Sequence, residues 1–321
     1  MEKRICLIDS SDGGASEIRR AAELIRRGEL VAFPTETVYG LGANALDPRA
    51  IEKIYAAKGR PPGSPIIVHV DSISMARGLV REWPATATAL AEQFWPGPLT
   101  LVLKKQALVP DRLTGGLDTV GIRMPSNPIA LALIREAGVP IAAPSANRFT
   151  QLSPTTAEHV RRFMADRVAM ILDGGPTTVG IESTVLSLAG QPPLLLRPGM
   201  ISQAELEAVI GPIEITTSTP HASHPAPGMH PRHYSPKTPL VVVADGHLPA
   251  SGRGAYLRRH GTSDAARVIG MPGSPAAYAA VLYEKLHEAD AQGWDWIAVE
   301  RPPLDAEWTA ILDRLLRAAS P

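Results

Sequence analysis

Lys58-Gly59-Arg60-Pro61 sets two cations one residue apart beside glycine and proline, and Pro144-Ser145-Ala146-Asn147 sets a hydroxyl and a carboxamide at the end of an apolar run. Arginine offers a planar fork to phosphate or carboxylate oxygens, and lysine a mobile point charge. A nucleoside triphosphate carries about four negative charges, which must be largely neutralised before in-line attack at phosphorus becomes feasible. Together the two clusters suit a polyanion with a nucleobase or sugar attached. Taken alone, the first reads equally well as a solvated loop with two surface cations, and the second as a capped turn. The common phosphate cradles, G-x-x-x-x-G-K-[ST] and G-x-G-x-x-G after a strand, are absent.

Other polar residues occur in similar settings. Pro34-Thr35-Glu36-Thr37-Val38-Tyr39-Gly40-Leu41-Gly42 follows an apolar run, where small hydroxyls and glycines let a ligand approach the backbone. His69 lies inside Ile66–Val70; alternation puts it on one face with Ile67, either in the core or in a cleft at the sheet surface. Arg123, within Gly121-Ile122-Arg123-Met124-Pro125, is costly to bury unpaired and therefore calls for an anion, from a side chain or a substrate carboxylate. Gly174-Gly175-Pro176, Gly180-Ile181-Glu182-Ser183-Thr184-Val185 and Arg197-Pro198-Gly199 are further glycine-rich strand ends. Each is a turn by default, yet so many polar strand ends in one stretch point to a shared cleft.

The pattern also outlines the elements that would position these residues. A helix capped by Ser16 runs to Arg27 and stops at Gly28, and Leu30–Phe33 reads as a buried strand. Asp47-Pro48 and Asn127-Pro128 are cap-plus-proline helix starts. The first helix is expected to end near Ala57, leaving Lys58 and Arg60 in the loop beyond, and the second to end at Gly138. Thr155 with Glu158, and Ser202 with Glu205, have capping-box spacing. Strands are expected at Ile66–Val70, Leu99–Leu103, Thr119–Met124, Ala169–Leu172, Ser183–Leu188 and Leu194–Leu196, an irregular mixture without a strict βαβ period.

This gives an α/β fold: a twisted mixed-sheet domain over residues 10–212, a Pro-, His- and Thr-rich linker over 213–238, and a small α/β domain over 239–321. In the last, Leu240–Ala244 and Ile297–Val299 read as strands, Ala276–Ala291 and Ala306–Ala318 as helices. A length of 321 residues agrees with two domains. Lys+Arg and Asp+Glu both number 32, so a duplex-gripping protein, which would carry a basic excess, is disfavoured. Cys6 is the single cysteine, which excludes an intrachain disulfide framework and a cysteine-rich zinc site. With no signal-like segment and no long apolar run, a cytoplasmic setting is expected, with no membrane partner.

K-G-R-P with P-I-I-V-H-V, P-S-A-N, G-I-E-S-T-V, L-R-P-G and P-T-E-T-V-Y-G-L together resemble the YrdC-like family. The string Pro227-Gly228-Met229-His230-Pro231-Arg232-His233-Tyr234-Ser235-Pro236 resembles the linker of its long, two-domain Sua-type form, whose C-terminal domain is Rossmann-like. The resemblance implies a large cleft in the first domain and a reaction in which L-threonine, bicarbonate or CO2 and ATP, with Mg2+, give threonylcarbamoyl-AMP, pyrophosphate and water. A separate threonylcarbamoyl transferase complex would then modify the adenosine next to the anticodon of certain tRNAs, so tRNA would be met only indirectly. No tightly bound cofactor is expected. By the same resemblance Lys58, Arg60, Ser145 and Asn147 form the central catalytic set around the nucleotide. Ser64, Thr119, Ser153, Arg197 and Tyr234 fall at further ATP-binding positions, and Thr37, His69, Arg123, Ala143 and Ser183 at threonine-binding ones. The linker around His233 and Tyr234 would fold over the cleft. The principal alternative is a non-catalytic RNA-binding module of the same fold; a carbamoyl-transfer maturation enzyme and a plain nucleotide hydrolase are further ones.

Overall fold

A computed structural model describes residues 5–7, 14–61, 63–216, 233–244, 247–260 and 263–320. Its larger sheet is built from β1 (Ile5–Leu7), β2 (Val31–Phe33), β3 (Gly40–Asn44), β4 (Val68–His69), β5 (Leu99–Lys104) and β6 (Thr119–Arg123), followed by β7 (Ile141–Ala142), β8 (Met170–Asp173), β9 (Thr184–Ser187), β10 (Leu194–Arg197) and β11 (Glu214–Ile215). Among the described residues these eleven lie in the order β1-β8-β2-β3-β7-β4-β6-β5-β9-β10-β11. Pairing is mixed: β4 runs parallel to β6, whereas β3 and β4 are both antiparallel to the short β7 between them.

Period-two alternation divides the sheet's side chains between two cores. Ala32, Leu41, Val68, Ile122 and Ala142 point to one, where α2 (Pro48–Lys58) packs with Ile51 and Ile54. Val31, Phe33, Ile141, Met170 and Leu172 point to the other, covered by α1 (Ala15–Arg26) and α6 (Pro128–Ala137). Ala21, Ala22, Ala130 and Ala137 at this second contact are small enough for the two helices to lie close together. Shorter helices α3 (Ile73–Gly78), α4 (Ala85–Phe94), α5 (Asp111–Thr114), α7 (Ala157–Met164) and α8 (Gln203–Ile210) complete the layers.

The second sheet, β12 (Leu240–Val243), β13 (Gly254–Arg258), β14 (Arg267–Gly270) and β15 (Trp296–Glu300), is parallel throughout in the order β12-β15-β13-β14. It packs with α9 (Pro275–Asp290) and α10 (Thr309–Ala318). The resulting core also takes in Val38, Leu152 and Ile181 from the part of the chain that builds the larger sheet, so apolar burial continues across the two sheets.

Most element boundaries follow the sequence reading, with some corrections. Gly14, not Ser16, precedes α1, and the Ser16 hydroxyl donates to Glu17. Thr156, not Thr155, caps α7, and Glu158 turns to Arg161 and Arg162 instead of closing a box. The Ser202–Glu205 box is present in full. Lys58 is the last helical residue of α2, not a loop residue, so the helix runs one residue further than expected, and Gly59 takes the left-handed conformation that ends it. Periodicity missed β3, β13 and β14, whose glycines and charges dilute the apolar pattern. Of the expected linker, 214–215 form β11 and 233–238 are mostly buried; its central string, 217–232, lies outside the described residues.

Candidate active site

The ends of β2, β3, β4, β6 and β7 surround a cleft of roughly 540 Å3, part of it open to solvent. Its floor follows from sheet register. His69 pairs across β4–β6 with Arg123, so their side chains emerge on the same side, with Ile67 two residues back. Gly40 bridges Ser145, the Leu41 N–H donates to the Pro144 carbonyl at 2.7 Å, and the Ala146 N–H donates to the Tyr39 carbonyl at 2.8 Å. The P-S-A-N loop is thereby held as an extension of β3.

Lys58 staples α2 to that loop. Its ammonium donates to the Ser145 carbonyl at 2.5 Å, the Asn147 carbonyl at 2.6 Å and Asn147 Oδ1 at 3.0 Å. Burial, with the neighbouring Arg60 charge, pushes its pKa well below the ordinary lysine value. Arg60 lines the cleft, donates to the Pro65 carbonyl at 2.8 Å and leaves its buried Nε without a partner among the described residues. Burial lowers its pKa to about 10.

On the other wall, Arg123 donates through Nη1 to Thr37 Oγ1 at 2.9 Å and lies 2.7 Å from the Glu36 carboxylate, although that N–H is not aimed along the contact. Thr35 Oγ1 gathers the Thr37 and Val38 amides, each at 3.2 Å, which fixes the 35–38 turn. His69 is buried with Nδ1 unpartnered among the described residues, and burial next to Arg123 pushes its pKa down to about 3, so it is neutral. Arg197 donates to the Ser183 carbonyl at 3.1 and 2.9 Å, and Ser183 Oγ lies 2.8 Å from Thr100 Oγ1. Over the cleft sit His233 and Tyr234, rings 4.1 Å apart, with His233 Nδ1 and the Tyr234 hydroxyl buried and unpartnered among the described residues. Tyr234 has φ +62°, a conformation costing a side-chain-bearing residue about 1–2 kcal/mol.

The structure therefore brings Thr37, Arg60, His69, Arg123, Ala143, Ser145, Arg197 and Tyr234 to one cavity. Lys58, Asn147 and Ser183 stand directly behind its wall through the bonds just described. Ser153 is fully buried and donates to Glu182 Oε1 at 2.5 Å. Ser64 and Thr119 are not on the wall: the Ser64 carbonyl accepts from Tyr55, and Thr119 opens β6 opposite Lys104. Sequence reasoning missed Glu36 and Glu182 as site residues, because a carboxylate beside an anion site looks repulsive until its cation is known. It also missed Arg314, whose partner Glu182 is 132 positions away.

Beside the cleft, α7 and α9 meet through His159 and His287, whose rings are 3.9 Å apart, with His287 Nε2–H donating to the Ser153 carbonyl at 3.1 Å. Burial depresses both, to about 3 and about 4. An unfolded histidine titrates near 6.5, so below that pH the unfolded chain takes protons that the folded chain refuses, and stability falls with pH. His287 alone should cost about 2 kcal/mol between pH 6.5 and 5. The melting temperature should drop over that interval, and His287→Asn should reduce the drop; an equal slope in the variant would refute this.

Comparison with known proteins gives matches over most of the chain. Residues 23–199 match the sequence model Sua5_yciO_yrdC, described as telomere recombination, and residues 201–320 match the one described as threonylcarbamoyl-AMP synthase, C-terminal domain. A threonylcarbamoyl-AMP synthase of Bacillus subtilis is 46% identical over 94% of this chain and 93% of its own length. Among solved structures, a His→Ala, Tyr→Ala double variant of Pyrococcus abyssi Sua5 superposes with a TM-score of 0.90 at 40% identity, covering 98% of this chain and 96% of that one. Pyrococcus abyssi Sua5 complexed with L-threonine gives 0.88 at 42%, covering 95% and 94%.

Proposed function

This chain belongs to the Sua5/YciO/YrdC family, and from that premise we propose that it is a threonylcarbamoyl-AMP synthase, joining L-threonine, ATP and CO2, or bicarbonate with loss of one water, with release of pyrophosphate. The observation that carries the reading is the cleft itself, where Arg60, Arg123 and Arg197 converge with Ser145 beneath His233 and Tyr234. In this reading Arg123, with Thr37, His69, Ala143 and Ser183, takes threonine, its guanidinium facing the carboxylate. Arg60, Lys58, Arg197, Ser145, Asn147 and Tyr234 take the nucleotide; Ser153 supports them through Glu182, and Ser64 and Thr119 would border the base or sugar beyond the present wall.

Threonine's amine takes up CO2 as a carbamate, and a carbamate oxygen attacks the α-phosphorus, expelling pyrophosphate. Neutral His69 adds no charge beside Arg123, leaving the guanidinium as the cation of that wall. No protein nucleophile is required; the residues position the reactants and stabilise charge developing on the phosphates. Magnesium enters with ATP. Glu36 and Glu182 are already engaged by Arg123 and Arg314, so the wall offers cations to the phosphates and leaves the metal to the nucleotide's own oxygens.

Incubation with ATP, bicarbonate and threonine should yield the mixed anhydride by mass, with pyrophosphate release that requires threonine. Threonine-independent release would indicate a simple hydrolase, and salt-sensitive RNA binding without product an RNA-binding module. His233 and Tyr234 form the lid of this reading, shielding the anhydride from water. Tyr234→Ala should shorten the intermediate's lifetime on the enzyme several-fold with little change in threonine KM; an unchanged lifetime would remove the lid role. The proposal keeps the catalytic unit at 10–212, the linker at 213–238 and the C-terminal unit at 239–321. It also includes a transferase complex that consumes the product, indirect contact with tRNA and a cytoplasmic setting. Among the described residues no helix is long and apolar enough to cross a membrane.

A further inference from the structure

Among the described residues lining the cleft Glu182 is the single acidic one, and a triphosphate would repel it. Its carboxylate is held from behind by the second sheet. Arg314, on α10 and 1% exposed, donates through Nε to Glu182 Oε2 at 2.8 Å and through Nη2 to the Glu182 and Pro198 carbonyls at 3.3 and 3.1 Å. Tyr283, on α9, donates to the same Oε2 at 3.1 Å, and Ser153 to Oε1. The Arg314 guanidinium also lies 5.2 Å from the centre of the Tyr234 ring, within cation–π range. The approach of the two halves is built into the backbone: Gly180 has φ +80°, and a Cβ there would meet the Ala279 carbonyl of α9 at 2.2 Å.

Resting on the nucleotide reading above, we propose that Arg314 is a positioning residue of the nucleotide site. It holds Glu182 away from the cleft's cations, so that the C-terminal unit sets ATP affinity without contacting ATP. Without Arg314, Glu182 is a buried anion with an incomplete set of partners, and the cations that act on it electrostatically are Arg197 and Lys58. Both belong to the proposed nucleotide set. A carboxylate turned toward them competes directly with phosphate. Burial pushes the Glu182 carboxyl up, but the Arg314 and Arg197 charges and the Ser153 bond outweigh it and hold it below the usual range, so with Arg314 in place the carboxylate is charged at neutral pH.

The test is a double-mutant cycle in the full chain, read as KM for ATP, KM for threonine and, independently of turnover, calorimetric affinity for ATP with Mg2+. Arg314→Met should weaken ATP at least tenfold and move threonine KM by less than threefold. In a Glu182→Gln background, where no carboxylate competes, the same substitution should weaken ATP by less than threefold. A structural role alone would move both substrates together in both backgrounds, which would overturn the proposal, as would unchanged ATP affinity in a folded Arg314→Met. Should Arg314→Met not fold, Glu182→Gln/Arg314→Met is compared with Glu182→Gln, since it leaves no unpaired buried charge; a tenfold difference between them overturns it. The calorimetric arm remains decisive even if the proposed reaction is not found, because it reads nucleotide binding alone.

Discussion

Arg60→Ala is expected to lower turnover of the ATP-dependent reaction by about 100- to 1,000-fold, the usual consequence of removing one preorganised donor from developing charge. Arg60 already donates to the Pro65 carbonyl, which fixes its fork, while its Nε is buried without a partner among the described residues. Such an arrangement is held in advance for an anion. Burial has lowered its pKa to about 10, still far above neutrality, so the charge is present when substrate arrives. Lys58→Ala should match it in rate and exceed it in lost stability, because the Ser145 and Asn147 oxygens lose their common donor. Single-turnover pyrophosphate release together with melting temperature separates the two variants. A wild-type rate in Arg60→Ala would remove it from the chemistry.

Arg123→Ala is expected to raise threonine KM by at least 100-fold with a smaller effect on ATP. The residue faces the cleft beside His69 and Thr37, to which it donates a hydrogen bond. Its loss also leaves Glu36 buried without its cation, a defect of about 3–5 kcal/mol in typical buried pairs. Glu36→Gln/Arg123→Ala should recover much of the stability but not the threonine affinity. If threonine KM recovered together with stability, Arg123 would be a structural residue and the carboxylate site would lie elsewhere.

The two arginines show how far local reading reaches. From one strand, Arg123 demanded an anion, and alternation put His69 with Ile67; both hold, and the β4–β6 register supplies what the strand alone lacked, the adjacency of the two. Burial and charge demands are set by a residue and its near neighbours, so they are legible in order along the chain. The cap-plus-proline starts at Asp47 and Asn127, and the glycine stop after α6, were legible for the same reason.

Partnership across long separations was not legible. Lys58 reaches Asn147 over 89 positions and Arg314 reaches Glu182 over 132, and nothing in either local string encodes the other. Likewise, residue types at polar strand ends implied a cleft, but only the packing of the second sheet against Val38, Leu152 and Ile181 decided what closes it. The amino-acid sequence determined which groups had to be satisfied; the tertiary structure decided which group satisfies which, because charge and hydrogen-bond pairing depend on distance in space rather than along the backbone.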